Sequence, residues 1–598
     1  MCGIIGYIGE QKAASLLIEG LKRLEYRGYD SSGIATIRHE PLGNHLMCTK
    51  RLGKIVELEG ALATRPLQGT VGIGHTRWAT HGEPSKRNSH PHVSLNAYIA
   101  VVHNGIIENH DALRKELVAQ GFRFLSDTDT EVLPHLIERE LSCGDGDLES
   151  AVGRALMQVQ GAYAIAVISP DHPDEIVAAS NSSPLVIGVG EKELYLASDE
   201  LALAGKVSAV VHVRDGEIVT LRRNGTYAFR GIPLSNIKER LEKPSVTEET
   251  NKGGLAHYMY KEILEQPQAM RNVLAGRLRT NAPVTFGGFT PDIEARLRDT
   301  RRIILAGCGT SLFAATAVQA MFESVGGVMC EAEQAAEFCY RNPILSSLDT
   351  VVGISQSGET ADTLKAIGLA RDRHALCLGV TNRVGSVLSR HVRAGIYLHA
   401  GPEIAVASTK AFTTQVVALA MLAIRIAELR GLPLSVELRE DLLRLPFVLA
   451  KALKQEPEIK TWTQKYTQAQ RVVIIGRGSG VSLAMEAALK IREVAYMDAH
   501  GLSAAELKHG TLALIEKGVP VLALMPSGKL RGKMLSCLEE VKARGGEVML
   551  LEPPAGISEE LVPVVLAPAV QLFAYHLGVA RGVDVDQPRN LAKAVTVE

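Results

Sequence analysis

Apolar positions in this chain follow two rhythms. Up to about residue 232, short apolar runs such as 98–102, 163–168 and 194–197 have strand length and are bounded by turn residues. The segment 111–120 reads as a helix, with Leu113 and Leu117 on one face and Gly121 as its stop. Strands outnumber helices here, which predicts a sheet-rich α+β domain. From 233 to 254 no apolar period is present and Ser, Glu, Lys, Thr and Asn dominate, ending in Gly253-Gly254, so a linker is expected.

Beyond it the pattern changes. The apolar run 302–305 ends in Gly307-Cys308-Gly309-Thr310-Ser311 and leads into helix-like 312–324. Far downstream, 472–475 ends in Gly476-Arg477-Gly478-Ser479-Gly480 and leads into 482–496. The next strands correspond as well: 350–354 runs into Ser355-Gln356-Ser357-Gly358, 519–525 runs into Pro526-Ser527-Gly528, and 375–380 matches 547–551. A repeat this long is not a solenoid. It predicts two doubly wound parallel-sheet α/β domains with ligand loops at the carboxyl ends of the strands; one large sheet is the alternative. The expected divisions are 1–232, a linker 233–254, then 255–440 and 441–598.

Composition narrows the function classes. A chain of 598 residues is too long for one core. Its 65 basic and 66 acidic residues leave a net charge of -1, which gives no global footprint for nucleic acid. The eight cysteines form no CxxC pair, so neither a metal site nor a disulfide framework is expected. Reduced thiols and a cytoplasmic setting follow. Met1-Cys2-Gly3-Ile4-Ile5-Gly6 lacks the plan of a signal peptide, and the apolar stretch 416–426, broken by Arg425, is too short to span a bilayer. No membrane partner is expected.

Cys2 is the first candidate for chemistry. Removal of the initiator Met leaves a cysteine whose own α-amine, with a reference pKa of about 8, can take the thiol proton. A site for free glutamine also needs a cation for the α-carboxylate, an anion for the α-ammonium and donors for an oxyanion. Arg77 in Gly74-His75-Thr76-Arg77-Trp78-Ala79-Thr80-His81-Gly82, Asp129 in Ser126-Asp127-Thr128-Asp129-Thr130-Glu131, and Asn104-Gly105 after Val102-His103 supply these types. By residue type alone, Arg77 could be a surface ion pair, Asp129 a helix N-cap and Trp78 core packing.

Together with Tyr26-Arg27-Gly28-Tyr29-Asp30-Ser31, these motifs resemble the class II glutamine amidotransferases. The resemblance implies an N-terminal-nucleophile α/β/β/α sandwich in which Cys2 forms a glutamyl thioester and Asn104 and Gly105 hold the oxyanion. It further implies that Arg77, Trp78, Thr80, His81 and Asp129 bind glutamine, with Trp78 as gate to an ammonia channel.

In the second part, Ser355-Gln356-Ser357-Gly358-Glu359-Thr360 and Gly309-Thr310-Ser311 offer hydroxyls, backbone N–H groups and a helix N-terminus, a phosphate-binding set. No Walker lysine or GxGxxG pattern is present, which disfavours nucleotides. These loops resemble the sugar isomerase (SIS) domains. With the first part, and with Val406-Ala407-Ser408-Thr409-Lys410, Glu506-Leu507-Lys508-His509-Gly510 and the tail 584–593, the likeness extends nearly end to end to the amidotransferases that make glucosamine 6-phosphate from fructose 6-phosphate and glutamine.

That likeness implies no cofactor, a homodimer, and a sugar-phosphate site of Cys308, Gly309, Thr310, Ser311, Ser355, Gln356, Ser357, Thr360, Ser408, Lys490 and Ala592. Lys593 would form the Schiff base, Glu493 move the proton between C1 and C2, and His509 open the ring; Lys490 and Lys508 would support phosphate or intermediate charge. Read from type alone, Glu493 is a solvated helix residue, Lys593 a surface lysine and His509 a packed histidine. Thr511 replaces a proline frequent in the family, and 553–569 is shorter than in some relatives. The chain also lacks the long first-domain insertion of eukaryotic relatives. The competing function is a SIS-domain sugar-phosphate enzyme or sensor with a vestigial glutaminase.

Overall fold

The computed structural model describes residues 2–595 apart from 42, 80, 145, 234–235, 238 and 245–250. The chain divides into two compact units, one built on Met1–Thr250 and the other on Asn251–Lys593. Much of the expected linker lies outside the described residues.

In the first unit a seven-stranded sheet faces a six-stranded one. The seven-stranded sheet runs, in spatial order, Ala209–Val213, Leu185–Val189, Leu194–Ala197, Gly3–Ile8, Val71–Arg77, Ser31–Glu40 and Gly43–Leu52. The other runs Tyr227–Phe229, Glu217–Arg222, His172–Asn181, Gly161–Ser169, Ala100–Ile107 and His92–Val93. Successive side chains of a strand point to opposite faces, and both faces of these sheets are covered. Ile4 and Ile8 meet Val102, Ala164 and Ala166 between the sheets. Ile5 and Tyr7 pack outward on Leu17, Leu21 and Leu58 of the helices Ala13–Leu24 and Ile55–Thr64. On the far side Val101, Ile165 and Val167 pack on the helices His110–Ala119, Val132–Cys143 and Leu148–Leu156. The result is the expected α/β/β/α sandwich. Burial on both faces is why these strands read as unbroken apolar runs rather than as an alternation.

The second unit holds the predicted repeat. A five-stranded parallel sheet runs Met329–Gln334, Arg302–Gly307, Asp349–Ser355, Leu376–Thr381 and Ala394–Tyr397. A four-stranded one runs Asp498–Ser503, Arg471–Gly476, Pro520–Leu524 and Glu547–Leu551, the same order without the last strand. The chain reverses direction of winding beside the first strand of each copy, which sets side by side the loops after 307 and 355 in the first and those after 476 and 524 in the second. One hydrophobic cluster, including Met270, Met421, Val494 and Phe573, serves both copies. The helix Val436–Ala452 spans the expected boundary at 440.

Two helices, Lys410–Leu429 and Glu559–Ala580, are long and apolar enough to cross a bilayer by length and composition, which corrects the shorter reading of 416–426. Their windows are 83% and 89% buried within the unit. They are hydrophobic nearly all round because they are core helices.

Candidate active site

In the first unit, register brings the nucleophile to its neighbours. Gly3 stands opposite Thr76 on the adjacent antiparallel strand, so Cys2 faces the Arg77-Trp78 corner. The Trp78 N–H points at Cys2 Sγ over 3.4 Å. Burial pushes the Cys2 thiol up, and the Trp78 amide and Arg77 guanidinium oppose that shift.

Asn104 Nδ2 donates to Cys2 O at 3.0 Å. Its Oδ1 lies 3.1 Å from His75 Nε2, which also lies 2.9 Å from the carbonyl of His103. Only a protonated Nε2 satisfies a carbonyl, so the ring's tautomer is set and the Asn104 amide has one good orientation. Burial lowers His75 to about 3, keeping the imidazole neutral. His75 stacks on His90 with centroids 4.0 Å apart, and His90 meets His92 edge-on at 4.7 Å. Gly105 has a φ of 131°, and a Cβ there would meet Ala162 O at 1.9 Å, so only glycine fits.

The readings of Arg77 as a surface ion pair, Asp129 as a helix N-cap and Trp78 as core packing do not fit. Arg77 is buried and its guanidinium donates to the carbonyls of His81, Gly82 at 3.0 Å and Glu83 at 3.4 Å, holding the loop over the site. Asp129 accepts from Ile107 N at 2.8 Å, and the helix Val132–Cys143 begins without a side-chain cap. Trp78 is half-buried and, among the described residues, joins no hydrophobic cluster. His81 packs edge-on against His110 at 5.4 Å. Thr80 lies outside the described residues.

In the second unit, Ser355 Oγ lies 2.8 Å from Thr360 Oγ1 and 3.4 Å from Ser357 Oγ. Gly358 N and Glu359 N donate to Ser355 and Ser357 hydroxyls at 3.0 and 3.1 Å. Gly358 has a φ of 68°, which makes the tight loop possible. Thr360, at the N-cap of the following helix Ala361–Asp372, makes no side-chain capping bond, so the helix N-terminus faces the loop uncapped by it. The Gln356 carbonyl accepts from Asn382 N at 3.0 Å. At the neighbouring strand end, Cys308 is half-buried, Gly309 has a φ of 53°, and Ser311 Oγ accepts from Gln415 Nε2 at 3.0 Å. Thr310 Oγ1 donates to Glu486 Oε1 at 3.1 Å, joining the two copies of the repeat.

Glu486, Lys490 and Glu493 share one face of the helix Gly480–Ala495. Lys490 Nζ is 2.6 Å from Glu493 and 3.5 Å from Glu486. Burial works against the Lys490 charge, but Glu486 and Glu493 raise its pKa overall. Burial lifts the Glu486 carboxyl to about 7.

Lys593 Nζ lies 2.5 Å from Glu403 and 3.4 Å from Ser408 Oγ. Burial acts to raise the Glu403 carboxyl, but Lys593 and the N–H groups of Thr409 and Ala411 hold it below its usual range. Glu262, buried beside it, is lifted to about 8 by burial and by Glu403. Glu403 also adds to the field at Lys490, so the two lysine clusters are electrostatically linked. Ala592 is half-buried next to Lys593. Lys508 pairs with Glu540 at 2.7 Å. His509 is exposed at the end of the turn Glu506–His509 and, among the described residues, bonds to none of the other candidates.

Sequence reasoning missed His75, Glu262, Glu403 and Glu486. The spacing of Glu486 from Lys490 and Glu493 was a usable signal; nothing in the sequence pairs Glu403 with Lys593.

A cysteine-first sandwich joined to a duplicated sheet with hydroxyl phosphate loops defines a glutamine amidotransferase fused to sugar isomerase domains. Family models agree: "Glutamine amidotransferase domain" matches residues 75–205 and "SIS domain" matches 296–425 and 465–551. Proteins called glutamine–fructose-6-phosphate aminotransferase (isomerizing) align with 100% of the chain and of their own length. They include those of Bacteroides thetaiotaomicron and Chlorobaculum tepidum, each 43% identical, and of Escherichia coli K12, 41% identical. The solved C-terminal domain of glucosamine-fructose-6-phosphate aminotransferase from Francisella tularensis is 34% identical. It superposes with a TM-score of 0.54 over 57% of this chain and all of its own. The chain belongs to the glutamine–fructose-6-phosphate aminotransferase (isomerizing) family.

Proposed function

We propose that this protein transfers the amide nitrogen of glutamine to fructose 6-phosphate and isomerises the product to glucosamine 6-phosphate, opening amino-sugar synthesis toward UDP-N-acetylglucosamine. The single observation that carries the reading is the coexistence, in one chain, of Cys2 facing Asn104, a hydroxyl phosphate loop at 355–360, and a lysine, Lys593, held against Glu403 and Ser408.

Residues 1–232 form the glutaminase, 255–440 and 441–598 the two SIS domains. The α-amine of processed Cys2 takes the thiol proton, and the sulfur attacks the glutamine carboxamide. Asn104 Nδ2 and the Gly105 N–H stabilise the oxyanion. Arg77 and Asp129 hold the amino-acid ends, Thr80 adds to glutamine binding, and Trp78 and His81 help close the site over glutamine. Ammonia leaves as the thioester forms, and water releases glutamate.

In the sugar half, Ser355, Gln356, Ser357 and Thr360 hold the phosphate, with Cys308, Gly309, Thr310, Ser311 and Ser408 lining the rest. Lys593 passes its proton toward Glu403 and adds to C2, expelling water as a Schiff base. Ammonia displaces the lysine, and Glu493, held by Lys490, moves the proton from C1 to C2. Ammonia travels by an enclosed path gated by Trp78, because in water it would be protonated and lost. Exposed His509 opens the sugar ring in the neighbouring subunit of a homodimer, in the cytoplasm.

The test is formation of glucosamine 6-phosphate from the two substrates by the wild type and Cys2→Ala. Glutamine-dependent synthesis is expected to vanish in the variant; synthesis at the wild-type rate would overturn the glutaminase mechanism.

A further inference from the structure

Within the first unit lies a cavity of about 640 Å³ that the chemistry above does not use. Its wall is strongly basic. Lys50 and Arg51 come from the edge strand Gly43–Leu52, Arg65 from just after the helix Ile55–Thr64, and Lys86 and Arg87 from the loop that leads to His90. Among the described residues only Arg87 of these five has a carboxylate in salt-bridge range, Asp127 at 2.6 Å. The one carboxylate on the wall, Glu131, is already engaged. It accepts from Leu125 N, Ser126 N and Ser126 Oγ at 2.8, 2.7 and 2.6 Å.

Four cations therefore face one concavity against the single charge of Glu131, whose carboxyl, against burial, its hydrogen bonds hold down at about 2, so the wall keeps a net positive excess. Like charges held together in this way repel, and the field in a concavity is focused rather than dispersed. Lys50 is half-buried and its ammonium donates to the carbonyl of Ser89 at 2.7 Å; burial pushes its pKa down, Glu131 opposes that shift, and Lys86 and Arg77 add to it. An anion seated here would relieve both the repulsion and the lost hydration. A carboxylate carries one charge, whereas a pyrophosphate or a phosphate diester chain carries several in the space available. The volume falls within the range of about 300–1,000 Å³ usual for small-molecule sites.

We propose that this cavity binds a small polyphosphate-bearing metabolite, with Lys50, Arg51, Arg65 and Lys86 as its counter-charge, and that occupancy is felt at the glutaminase centre. The second half follows from the far wall. His92 lines the cavity, meets His90 edge-on, and His90 stacks on His75, whose Nε2 fixes Asn104. His92 Nε2 also lies 3.1 Å from Thr128 Oγ1, next to Asp129.

Calorimetric titration of the full-length protein with inorganic pyrophosphate tests the site, comparing the wild type with the Arg65→Ala/Lys86→Ala double variant. Both residues are exposed at the rim, so the variant keeps its fold, which its melting temperature verifies. The wild type is expected to show a saturable site that weakens at least tenfold in the variant and returns with Arg65→Lys/Lys86→Arg. Any binding at the loops around Ser355 is common to all three proteins and cancels. Identical titrations of wild type and double variant would overturn the site. Pyrophosphate is further expected to change glutamine hydrolysis at least twofold in the wild type and not in the double variant. Binding without that change would overturn the coupling through His92.

Discussion

In both units burial works against charge, but the two differ in what opposes it. Around Cys2 it silences charge: His75, His90, His92 and His103 are all pushed down, and Asn104 is held by a neutral imidazole rather than an ion pair. In the second unit it drives two carboxyls toward the neutral acid, Glu486 beside Lys490 to about 7 and Glu262 beside Glu403 to about 8. Glu403 stays ionised because Lys593 and backbone N–H groups outweigh burial there. The difference follows from the chemistry each must do. An oxyanion that exists only in passing is best met by fixed donors that need no reorganisation. A proton moved between two carbons needs groups that titrate near the working pH.

Lys593→Ala should separate the halves most sharply. Sugar product is expected to fall by at least about 10³-fold, the scale of losing a covalent catalyst, while glutamine hydrolysis stays within about twofold. Parallel assays of glutamate and glucosamine 6-phosphate measure both; a matching loss of hydrolysis would show that the halves are not chemically independent.

His75→Ala comes next. It removes the N–H that orients Asn104, so kcat for glutamine hydrolysis should drop by roughly 10–100-fold with KM little changed. His75→Gln, which can present an N–H, should recover part of the loss. A fall confined to KM would assign His75 to substrate binding instead.

The smallest effect concerns pH. The folded-state pKa of Glu262, about 8, lies above its unfolded value of 4.5, so the folded protein binds the extra proton between these limits. Its contribution to stability is complete below about pH 4.5 and is lost as pH rises through 8. Glu262→Gln mimics the protonated carboxyl and should flatten the decline in unfolding free energy between pH 5 and 8. Denaturant titrations across that range measure it, and parallel curves for the two proteins would contradict the assignment.

Most of the architecture was legible because each unit keeps a steady apolar rhythm, and the repeat showed itself through matching strand-to-loop junctions after 307 and 476. The cluster around Cys2 was legible too, since Cys2, Arg77 and Asn104 stand in compact motifs. His75 was not, because a histidine inside a buried strand looks like packing until its ring is seen donating to Asn104. The Lys593–Glu403 pair spans 190 residues and exists only through tertiary packing. The helix Val562–Ala580 was missed because Pro568 interrupts the apolar run in sequence without ending the helix.

The central claim is that the two halves act as one enzyme on one nitrogen atom. Incubation with fructose 6-phosphate and amide-15N glutamine, in excess unlabelled ammonium, tests it through the mass of the glucosamine 6-phosphate formed. The account predicts a product labelled almost completely, whereas a label diluted to the composition of the free ammonium pool would contradict it.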